Sequence, residues 1–496
     1  MTRKGSGFVS TPPAGGLSAP TGPLFPKANK GALYHMELGA TYLELGSLSD
    51  AADAFRQAIA LDPAMAEAHF NLGTVLSDQK NAKSAMAAYR RAAELRPDFF
   101  EAHFNLGETL VHLGLLDDAV DCYRRAAALQ PDNPGLYNNL GTTFLETGQY
   151  DEAVEALTRA VALAPDVGEL HTNLGAALKH AGRVDEGVKA QRRAVELSPD
   201  SAESHFNLAM VLASAGDHTA AEASYRQAIA LKPDMPQLYT YLGSSLMSIN
   251  RHAEALALCD EFLAANPADR RILAFKVVLL AELGEAAMAR ALADYDRMIQ
   301  PVDIEAPADF GDVATFNQAL VRHIVEHPSL VVAPRSHATV DGQHTGDLLV
   351  EPKGPFAAFE GILWQAVEAY RQQVADGSGH PYFAHWPALD RLFVWAIVMR
   401  RGGHQVPHIH PAGWMSGVYY AELPADIGSE DGGHDGWIEF GRAPSGFPVA
   451  RGPHIRMIQP KAGRLFLFPS YFYHRTVPNA TDARRVSIAF DFLPAV

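Results

Sequence analysis

Residues 102–131 read AHFNLGETLVHLGLLDDAVDCYRRAAALQP, and the same pattern returns every 34 residues along the first half of the chain. A Leu-Gly pair marks each unit, with its glycine at Gly39, Gly73, Gly107, Gly141, Gly175 and Gly243, while Ala209 takes the remaining register position. A proline ends each unit, at Pro63, Pro97, Pro131, Pro165, Pro199, Pro233 and Pro267. Because proline ends a helix and small residues let helices approach closely, each unit is interpreted as two packed helices.

Two further positions complete the repeating pattern. A small residue recurs at Ala51, Ala85, Ala119, Ala153, Gly187, Ala221 and Ala255. Four residues later a large side chain follows, at Phe55, Tyr89, Tyr123, Leu157 and Tyr225, with Gln191 and Cys259 as departures. The pattern resembles the tetratricopeptide repeat, held in one register over seven units. Since one helix pair cannot bury its apolar face alone, the resemblance implies an all-α solenoid with a concave surface.

The composition divides the chain into regions around this solenoid. The tetratricopeptide repeats are predicted to cover residues 32–269, and residues 1–31, rich in Gly, Pro and Ser, to form a disordered tail. Residues 270–300 are interpreted as capping helices and a linker, and the acidic, proline-bearing stretch 301–307 as further linker. A second domain is expected over residues 301–496.

Charge and cysteine content limit the function classes. The formal net charge of the 496-residue chain is −16, which disfavours nucleic acids and anionic membranes as partners because both select clustered Lys and Arg. Cys122 and Cys259 lack metal-ligand spacing and favour a reduced, cytoplasmic location. No apolar run reaches transmembrane length, and the N-terminal stretch lacks a signal-peptide pattern.

Polar side chains also recur in register on the first helix of the repeats. Two positions before the Leu-Gly glycine or its alanine equivalent stand Asn71, Asn105, Asn139, Asn173 and Asn207. An amide donates and accepts hydrogen bonds at once, so it suits a peptide bond of any sequence. In the tetratricopeptide family this helix lines the concave groove, and a similar asparagine ladder in the O-linked N-acetylglucosamine transferase solenoid binds an extended peptide. The alternative is that these asparagines cap or bridge neighbouring helices. In-register histidines at His69, His103, His171 and His205 lack ligand spacing and are interpreted as helix-packing residues.

The C-terminal region changes from helical to strand periodicity. A helix is predicted over 313–326 and an amphipathic helix over 355–375. Alternating apolar segments separated by Gly, Pro and Asp predict strands over 391–400, 414–423, 436–440, 455–459, 464–468 and 485–492. Many short strands with flanking helices favour a double-stranded β-helix, or jelly-roll, barrel.

Three histidines predict a metal site on this barrel. His408 and His410 are two residues apart, so on a strand both imidazoles face the same side. His474 supplies a third nitrogen from a distant segment. Three histidines with open coordination positions suit Fe(II) or another divalent ion, and zinc uses similar ligands.

An arginine and a serine follow on the last predicted strand. Apolar residues at 486, 488, 490 and 492 alternate with Arg485, Ser487, Ala489 and Asp491, so Arg485 and Ser487 share one face. A buried guanidinium needs an anion, and a carboxylate matches its fork in bidentate fashion. The alternative pairs Arg485 with a structural acid such as Asp491.

Together these segments resemble the 2-oxoglutarate/Fe(II)-dependent oxygenases, and most of all the oxygenase domain that follows tetratricopeptide repeats in bacterial proteins. The phrases that carry the resemblance are GGHQVPHIHPAGWMSGVYYAELP, GWIEFG, GRLFLFPSYFYHRTVP and RRVSIAFDF. The resemblance implies that His408 and His474 bind Fe(II) and that Arg485 and Ser487 hold the C5 carboxylate of 2-oxoglutarate. His410 occupies the position where this superfamily has a carboxylate, so His410 or Glu439 is expected to complete the ligand set.

The resemblance implies a 2-oxoglutarate-dependent dioxygenase in which His408, His410 and His474 are the catalytic metal ligands. Its substrate is expected to be a protein or peptide recruited by the solenoid, with the asparagine ladder as the binding surface. Two alternatives remain at this point. The barrel could be a catalytically inactive scaffold or sensor, or the protein could oxidise a small molecule while the repeats bind a partner.

Overall fold

The computed structural model describes residues 30–333, 338–375, 379–425, 427 and 433–495. The chain divides into two compact units, Met1–Pro165 and Asp166–Val496. Most of the predicted disordered tail, residues 1–29, lies outside the described residues. Its last two residues, Lys30 and Gly31, already belong to the first helix.

The first unit is a run of tetratricopeptide-repeat helices. Its helices are α1 (Lys30–Glu44), α2 (Leu48–Leu61), α3 (Ala66–Asp78), α4 (Ala82–Leu95), α5 (Phe100–His112), α6 (Leu116–Leu129), α7 (Pro134–Thr147) and α8 (Tyr150–Leu163). Each helix from α1 to α7 packs against the one that follows it in the chain. The helix pair of a repeat is closed by two positions of the sequence pattern. A Cβ atom added to Gly107 would lie 2.6 Å from the ring of Tyr123, so only glycine permits this approach.

The second unit begins with helices of the same repeat pattern. Its helices are α9 (Gly168–His180), α10 (Val184–Leu197), α11 (Ala202–Ser214), α12 (His218–Leu231), α13 (Pro236–Ser248), α14 (His252–Ala265), α15 (Arg270–Glu282), α16 (Ala286–Leu292) and α17 (Tyr295–Met298). The two departures from the pattern have structural explanations. Gln191 is buried against Gly175 and donates its amide Nε2 to the carbonyl of Thr172 at 2.9 Å. Where Cys259 is too small, Phe275 of α15 packs against Gly243 instead.

Three of the four in-register histidines contact the proline that ends the preceding repeat unit. Nε2 of His69, His103 and His205 lies 3.1, 3.0 and 2.8 Å from the carbonyl oxygen of Pro63, Pro97 and Pro199. These rings therefore connect the start of a first helix to the turn that precedes it, in agreement with a packing role.

The C-terminal part of the second unit is a strand-rich, curled sheet of the jelly-roll class. Its strands are β1 (Gln300–Asp303), β2 (Val331–Val332), β3 (Thr339–His344), β4 (Leu389–His408), β5 (Met415–Glu422), β6 (Ile438–Phe440), β7 (Arg456–Ile458), β8 (Arg464–Pro469), β9 (His474–Thr476) and β10 (Arg485–Pro494). Neighbouring strands run β1-β8-β5-β10-β4-β9-β6-β7, all antiparallel, with β3 paired to both β2 and β4. Helices α18 (Val313–Glu326) and α19 (Phe356–Tyr370) accompany the sheet.

The linker prediction for residues 301–307 is wrong at its start. Gln300–Asp303 forms β1, which pairs with β8 and ends the row of strands. Pro301 is tolerated there because an edge strand leaves one side without ladder hydrogen bonds, where a missing N–H costs nothing.

The last repeats and the barrel share one hydrophobic core that runs from Leu208 to Phe492. The ring of Phe275 on α15 lies 5.0 Å from Phe447 of the β6–β7 loop. Arg270, also on α15, donates from Nε to the carbonyl oxygen of Pro411 at 3.0 Å. The end of the solenoid is therefore packed directly against the segment that carries His410. No helix in the described part of the chain is long and apolar enough to cross a membrane.

Candidate metal and anion site

The three predicted histidines come together at the ends of two paired strands. His408 ends β4 and His474 begins β9, and the two are register partners across the antiparallel pair. Their ring centroids are 4.3 Å apart. His410 lies just beyond β4, where its backbone N–H donates to the carbonyl of Ser470 at 3.0 Å. Potential ligand nitrogens of all three histidines lie within 4.8 Å of one another.

Each imidazole is oriented by an acceptor at Nδ1. Nδ1 of His408 donates to the carbonyl oxygen of Val406 at 2.8 Å, and Nδ1 of His474 donates to that of Phe472 at 3.0 Å. Nδ1 of His410 donates to Oδ1 of Asp491 at 2.6 Å. A carbonyl or carboxylate oxygen only accepts, so the proton sits on Nδ1 and the lone pair on Nε2 stays available. The hydrogen-bond partners of the rings therefore fix the tautomer in which Nε2 can bind a metal.

Burial favours the neutral form of His408 and His474. Loss of solvation, reinforced by the neighbouring His410, lowers the pKa of His408 to about 3. Burial also holds the pKa of His474 well below its usual range, with the charges of His408 and His410 acting in the same direction. Neutral imidazole is the form that coordinates a metal, so these two rings do not have to lose a proton near neutral pH.

Asp491 has a different partner from the one expected of it. Sequence reasoning offered it as a counterion for Arg485, but its carboxylate accepts from His410 and from Ser416 Oγ, each at 2.6 Å. The distance between Arg485 and Asp491 along an extended strand could have excluded their pairing from the sequence alone. Six residues of extended chain span roughly 20 Å, so Arg485 and Asp491 lie at opposite ends of the same face of β10.

Glu439, the alternative acidic ligand, faces away from the histidines. It is register partner of Arg475, while its neighbour Phe440 is partner of His474. Because side chains alternate across a strand, Glu439 and His474 project to opposite faces of the sheet. The Glu439 carboxylate pairs with Arg475 at 2.8 Å and with Arg442, and these arginines hold its pKa below the usual range against the opposing effect of burial.

Arg485 lies in the barrel with its guanidinium almost fully buried. Its Nη1 donates to Ser487 Oγ at 3.3 Å and contacts Met399 Sδ at 3.7 Å, and its Cζ lies 5.2 Å from the ring centroid of Tyr420. Nε of Arg485 has no hydrogen-bond partner, and within the described ranges no carboxylate forms an ion pair with it. A buried cation without a counterion is costly, so this geometry fits a carboxylate-bearing ligand.

The histidines and Arg485 line the same cavity. Its walls also include Ser487, Gln405 and apolar side chains such as Ile438 and Phe468. The space not filled by atoms amounts to about 340 Å³, and little of it is wide enough to admit a water molecule. One cavity thus presents three imidazole nitrogens and one guanidinium without a counterion, a donor set compatible with a divalent metal ion and a carboxylate-bearing ligand.

The five ladder asparagines occupy equivalent, half-buried positions on α3, α5, α7, α9 and α11. Asn139 bridges helices, because its Nδ2 donates to Glu108 Oε1 on α5 at 3.1 Å. This contact realises the helix-bridging alternative at that position. Peptide binding by the ladder asparagines stays a prediction.

Comparisons with known families match both regions. Residues 393–491, which contain all the cavity residues discussed, match the family described as "Putative 2OG-Fe(II) oxygenase". Tetratricopeptide-repeat families match residues 98–166 and residues 36–98, 138–202, 181–236 and 206–270. The chain therefore combines tetratricopeptide repeats with a C-terminal domain that matches this oxygenase family. That family implies Fe(II) and 2-oxoglutarate, and the repeats point to protein–protein interaction.

Solved structures similar to this repeat protein cover about a third of it. A crystal structure of MamA is 24% identical, with a TM-score of 0.33, and covers 35% of this chain and 94% of MamA. YrrB, described as a TPR protein with an unusual peptide-binding site, is 26% identical, with a TM-score of 0.35, and covers 38% of this chain and 96% of YrrB. A MamA fragment from Desulfovibrio magneticus RS-1 is 22% identical, with a TM-score of 0.33, and covers 34% of this chain and 96% of the fragment. No curated protein matches the chain.

Proposed function

We propose that this protein is a 2-oxoglutarate- and Fe(II)-dependent dioxygenase that hydroxylates a protein or peptide recruited by its repeats. The observation that carries the proposal is the unpaired, buried guanidinium of Arg485 in the same cavity as three converging histidines. A metal site alone would fit many chemistries. A metal site with a buried cation awaiting a carboxylate fits a dicarboxylate cosubstrate.

The residues present have distinct tasks in this function. His408, His410 and His474 would hold Fe(II) through Nε2, and Arg485, with Ser487 assisting, would bind the far carboxylate of 2-oxoglutarate. When bound, the metal supplies the oxygen chemistry that converts 2-oxoglutarate, dioxygen and a substrate C–H bond into succinate, carbon dioxide and a hydroxylated product. The apolar walls at Ile438 and Phe468 exclude water from this reaction.

The repeats support a polypeptide as the substrate. Their first helices carry amides at equivalent positions, and helix α15 contacts the barrel next to the His410 segment through Arg270 and Pro411. A chain bound at Asn207 on α11 would lie on a helix whose Leu208, Ala209 and Leu212 belong to the same hydrophobic core as the barrel. The proposal therefore assigns recruitment to the solenoid and oxidation to the barrel.

Succinate release tests the oxidative half of the proposal. Purified protein reconstituted with Fe(II) without oxygen, then given 2-oxoglutarate and air, is expected to release succinate. His474→Ala should abolish the release, whereas His454→Ala, which changes an exposed histidine of the β6–β7 loop, should not. Equal rates for wild type and His474→Ala would show that the site assignment is wrong.

Substrate capture tests the recruiting half. The full-length His474→Ala protein should retain a polypeptide substrate without modifying it, and mass spectrometry after incubation with active protein should find one added oxygen atom. Replacing all five ladder asparagines by alanine should lower capture. Gln57→Ala and Gln227→Ala, which remove exposed amides from second helices, provide the matched control. Undiminished capture by the five-fold variant would contradict the role of the ladder.

The replacement of the usual carboxylate by His410 and the narrow cavity also favour a second candidate, a catalytically inactive scaffold or sensor. Metal analysis of protein prepared without oxygen separates the two. Absence of a bound transition metal together with absence of 2-oxoglutarate binding would support the scaffold.

A further inference from the structure

The three histidines differ in the group that accepts the hydrogen bond from Nδ1. His408 and His474 each donate from Nδ1 to a backbone carbonyl two residues earlier in the chain. His410 alone donates to a carboxylate, Oδ1 of Asp491, at 2.6 Å. The histidine that stands in the place of a ligating carboxylate is therefore the one that is backed by a carboxylate.

The Asp491 side chain is held in position by a neighbouring strand and by two buried serines. It is register partner of Ser416 across β5 and β10, and the Ser416 hydroxyl donates to Oδ1 at 2.6 Å. Ser416 is fully buried, and its Oγ also lies 2.7 Å from Oγ of Ser470. Gly413 allows the approach, because a Cβ atom there would lie 2.8 Å from Ser470 Oγ and 3.2 Å from Asp491 Cγ.

Asp491 is 9% exposed, and no Lys or Arg among the residues with described side chains forms an ion pair with it. A buried carboxylate without a cation is unfavourable unless hydrogen bonds or a nearby positive charge compensate it. Two hydrogen bonds reach its Oδ1. A divalent ion on the far side of the His410 ring would supply the missing positive charge, since the imidazole transmits the effect between its two nitrogens.

We propose that Asp491, held by Ser416, supplies from behind His410 the negative charge that a ligating carboxylate would place on the metal directly. Asp491 is a positioning residue: it fixes the tautomer and the plane of His410 and makes its Nε2 a stronger donor. The His410–Asp491 pair then acts as one anionic ligand unit. This inference rests on the proposed metal site and goes beyond it by naming the group that compensates for the absent carboxylate.

Titration of the full-length protein with Co(II) without oxygen, followed by its visible absorption spectrum and by competition with a chelator, tests this role apart from activity. Asp491→Asn keeps the size of the side chain and removes its charge, and Asp491→Ala removes the acceptor. Both are expected to weaken Co(II) binding by about 10- to 100-fold and to shift the spectrum of the bound ion. Ser416→Ala should produce a smaller change in the same direction.

Asp482→Asn is the matched control, because Asp482 is an exposed aspartate whose ion pair with Arg401 lies outside the cavity. It should leave both affinity and spectrum unchanged. If wild type binds Co(II) and Asp491→Asn binds it with the same affinity and spectrum, the inference is overturned while the metal site stands. If wild type binds no Co(II), both the inference and the proposed metal site are overturned.

Discussion

In the repeats one contact is made many times, whereas in the barrel cavity each contact is made once. A glycine of a first helix faces a large side chain of the second at Gly73 and Tyr89, and again at Gly107 and Tyr123. Among the described residues, the group of three histidines occurs once, and Arg485 is the single arginine that lines the cavity. The difference teaches that a substitution in the solenoid removes one of several equivalent contacts. A substitution in the cavity removes a whole function.

The largest effect is expected from His408→Ala, which removes a ligand that nothing replaces. Because a first ligand contributes more than its outer-shell partner, the loss of metal affinity should exceed the roughly 100-fold upper range of outer-shell changes. Co(II) titration measures it, with His454→Ala as the control. An affinity within about tenfold of wild type, the lower end of that outer-shell range, would mean that His408 is not a ligand.

Arg485→Met should separate stability from ligand binding. Removing a buried, unpaired cation is expected to leave the free energy of unfolding unchanged or to raise it, by up to about 4 kcal/mol. At the same time the variant should lose the stabilisation by 2-oxoglutarate, about 2.7 kcal/mol at roughly one hundred times the Kd. Thermal unfolding with and without 2-oxoglutarate, in the presence of Co(II), measures both quantities.

Arg484→Met is the neighbouring control, since Arg484 forms a partly exposed ion pair with Glu422 and does not line the cavity. It should retain the response to 2-oxoglutarate. A marked destabilisation of Arg485→Met in the absence of any ligand would indicate that the guanidinium has a structural role instead.

In the solenoid, Gly107→Ala should cost about 1–3 kcal/mol of stability through overpacking against Tyr123, partly offset by the better helix propensity of alanine, about 1 kcal/mol. Metal binding should not change. Gly135→Ala is the control, because a Cβ there would meet only Asn133 Oδ1 at an ordinary 3.4 Å. Equal urea midpoints for Gly107→Ala and wild type would show that the two helices can move apart to accommodate the added Cβ atom without loss of stability.

The same contrast explains how much the sequence could predict. The repeats were predictable because the Gly–large pair returns in one register, so even the departure at Gln191 could be recognised, although its bond to Thr172 could not. The histidines and Arg485 stood out because their chemistry is unusual on a core strand. Strand β1 was missed, because its proline is a linker signal unless the edge position is known.

The role of Asp491 was the part that spacing alone left undetermined. Alternation placed it on the same face as Arg485, and only the position of the loop after β4 decides that His410 is the side chain within reach. That loop is set by long-range contacts, such as Arg270 to the carbonyl of Pro411, which join segments distant in sequence. Local pattern carries no information about such contacts, because they depend on the packing of two domains.

The smallest effect is expected from Asn139→Ala, a single change in a repeated feature. It removes the hydrogen bond to Glu108 and should cost about 0.5–1.5 kcal/mol of stability. Burial raises the pKa of Glu108 and the bond from Asn139 lowers it, so the variant should raise this pKa further. Peptide capture should fall only slightly, since the other ladder asparagines remain. Loss of capture as complete as in the five-fold variant would show that the ladder positions are not equivalent. Asn139 would then behave as a unique site, like the residues of the cavity, although it belongs to a repeated set.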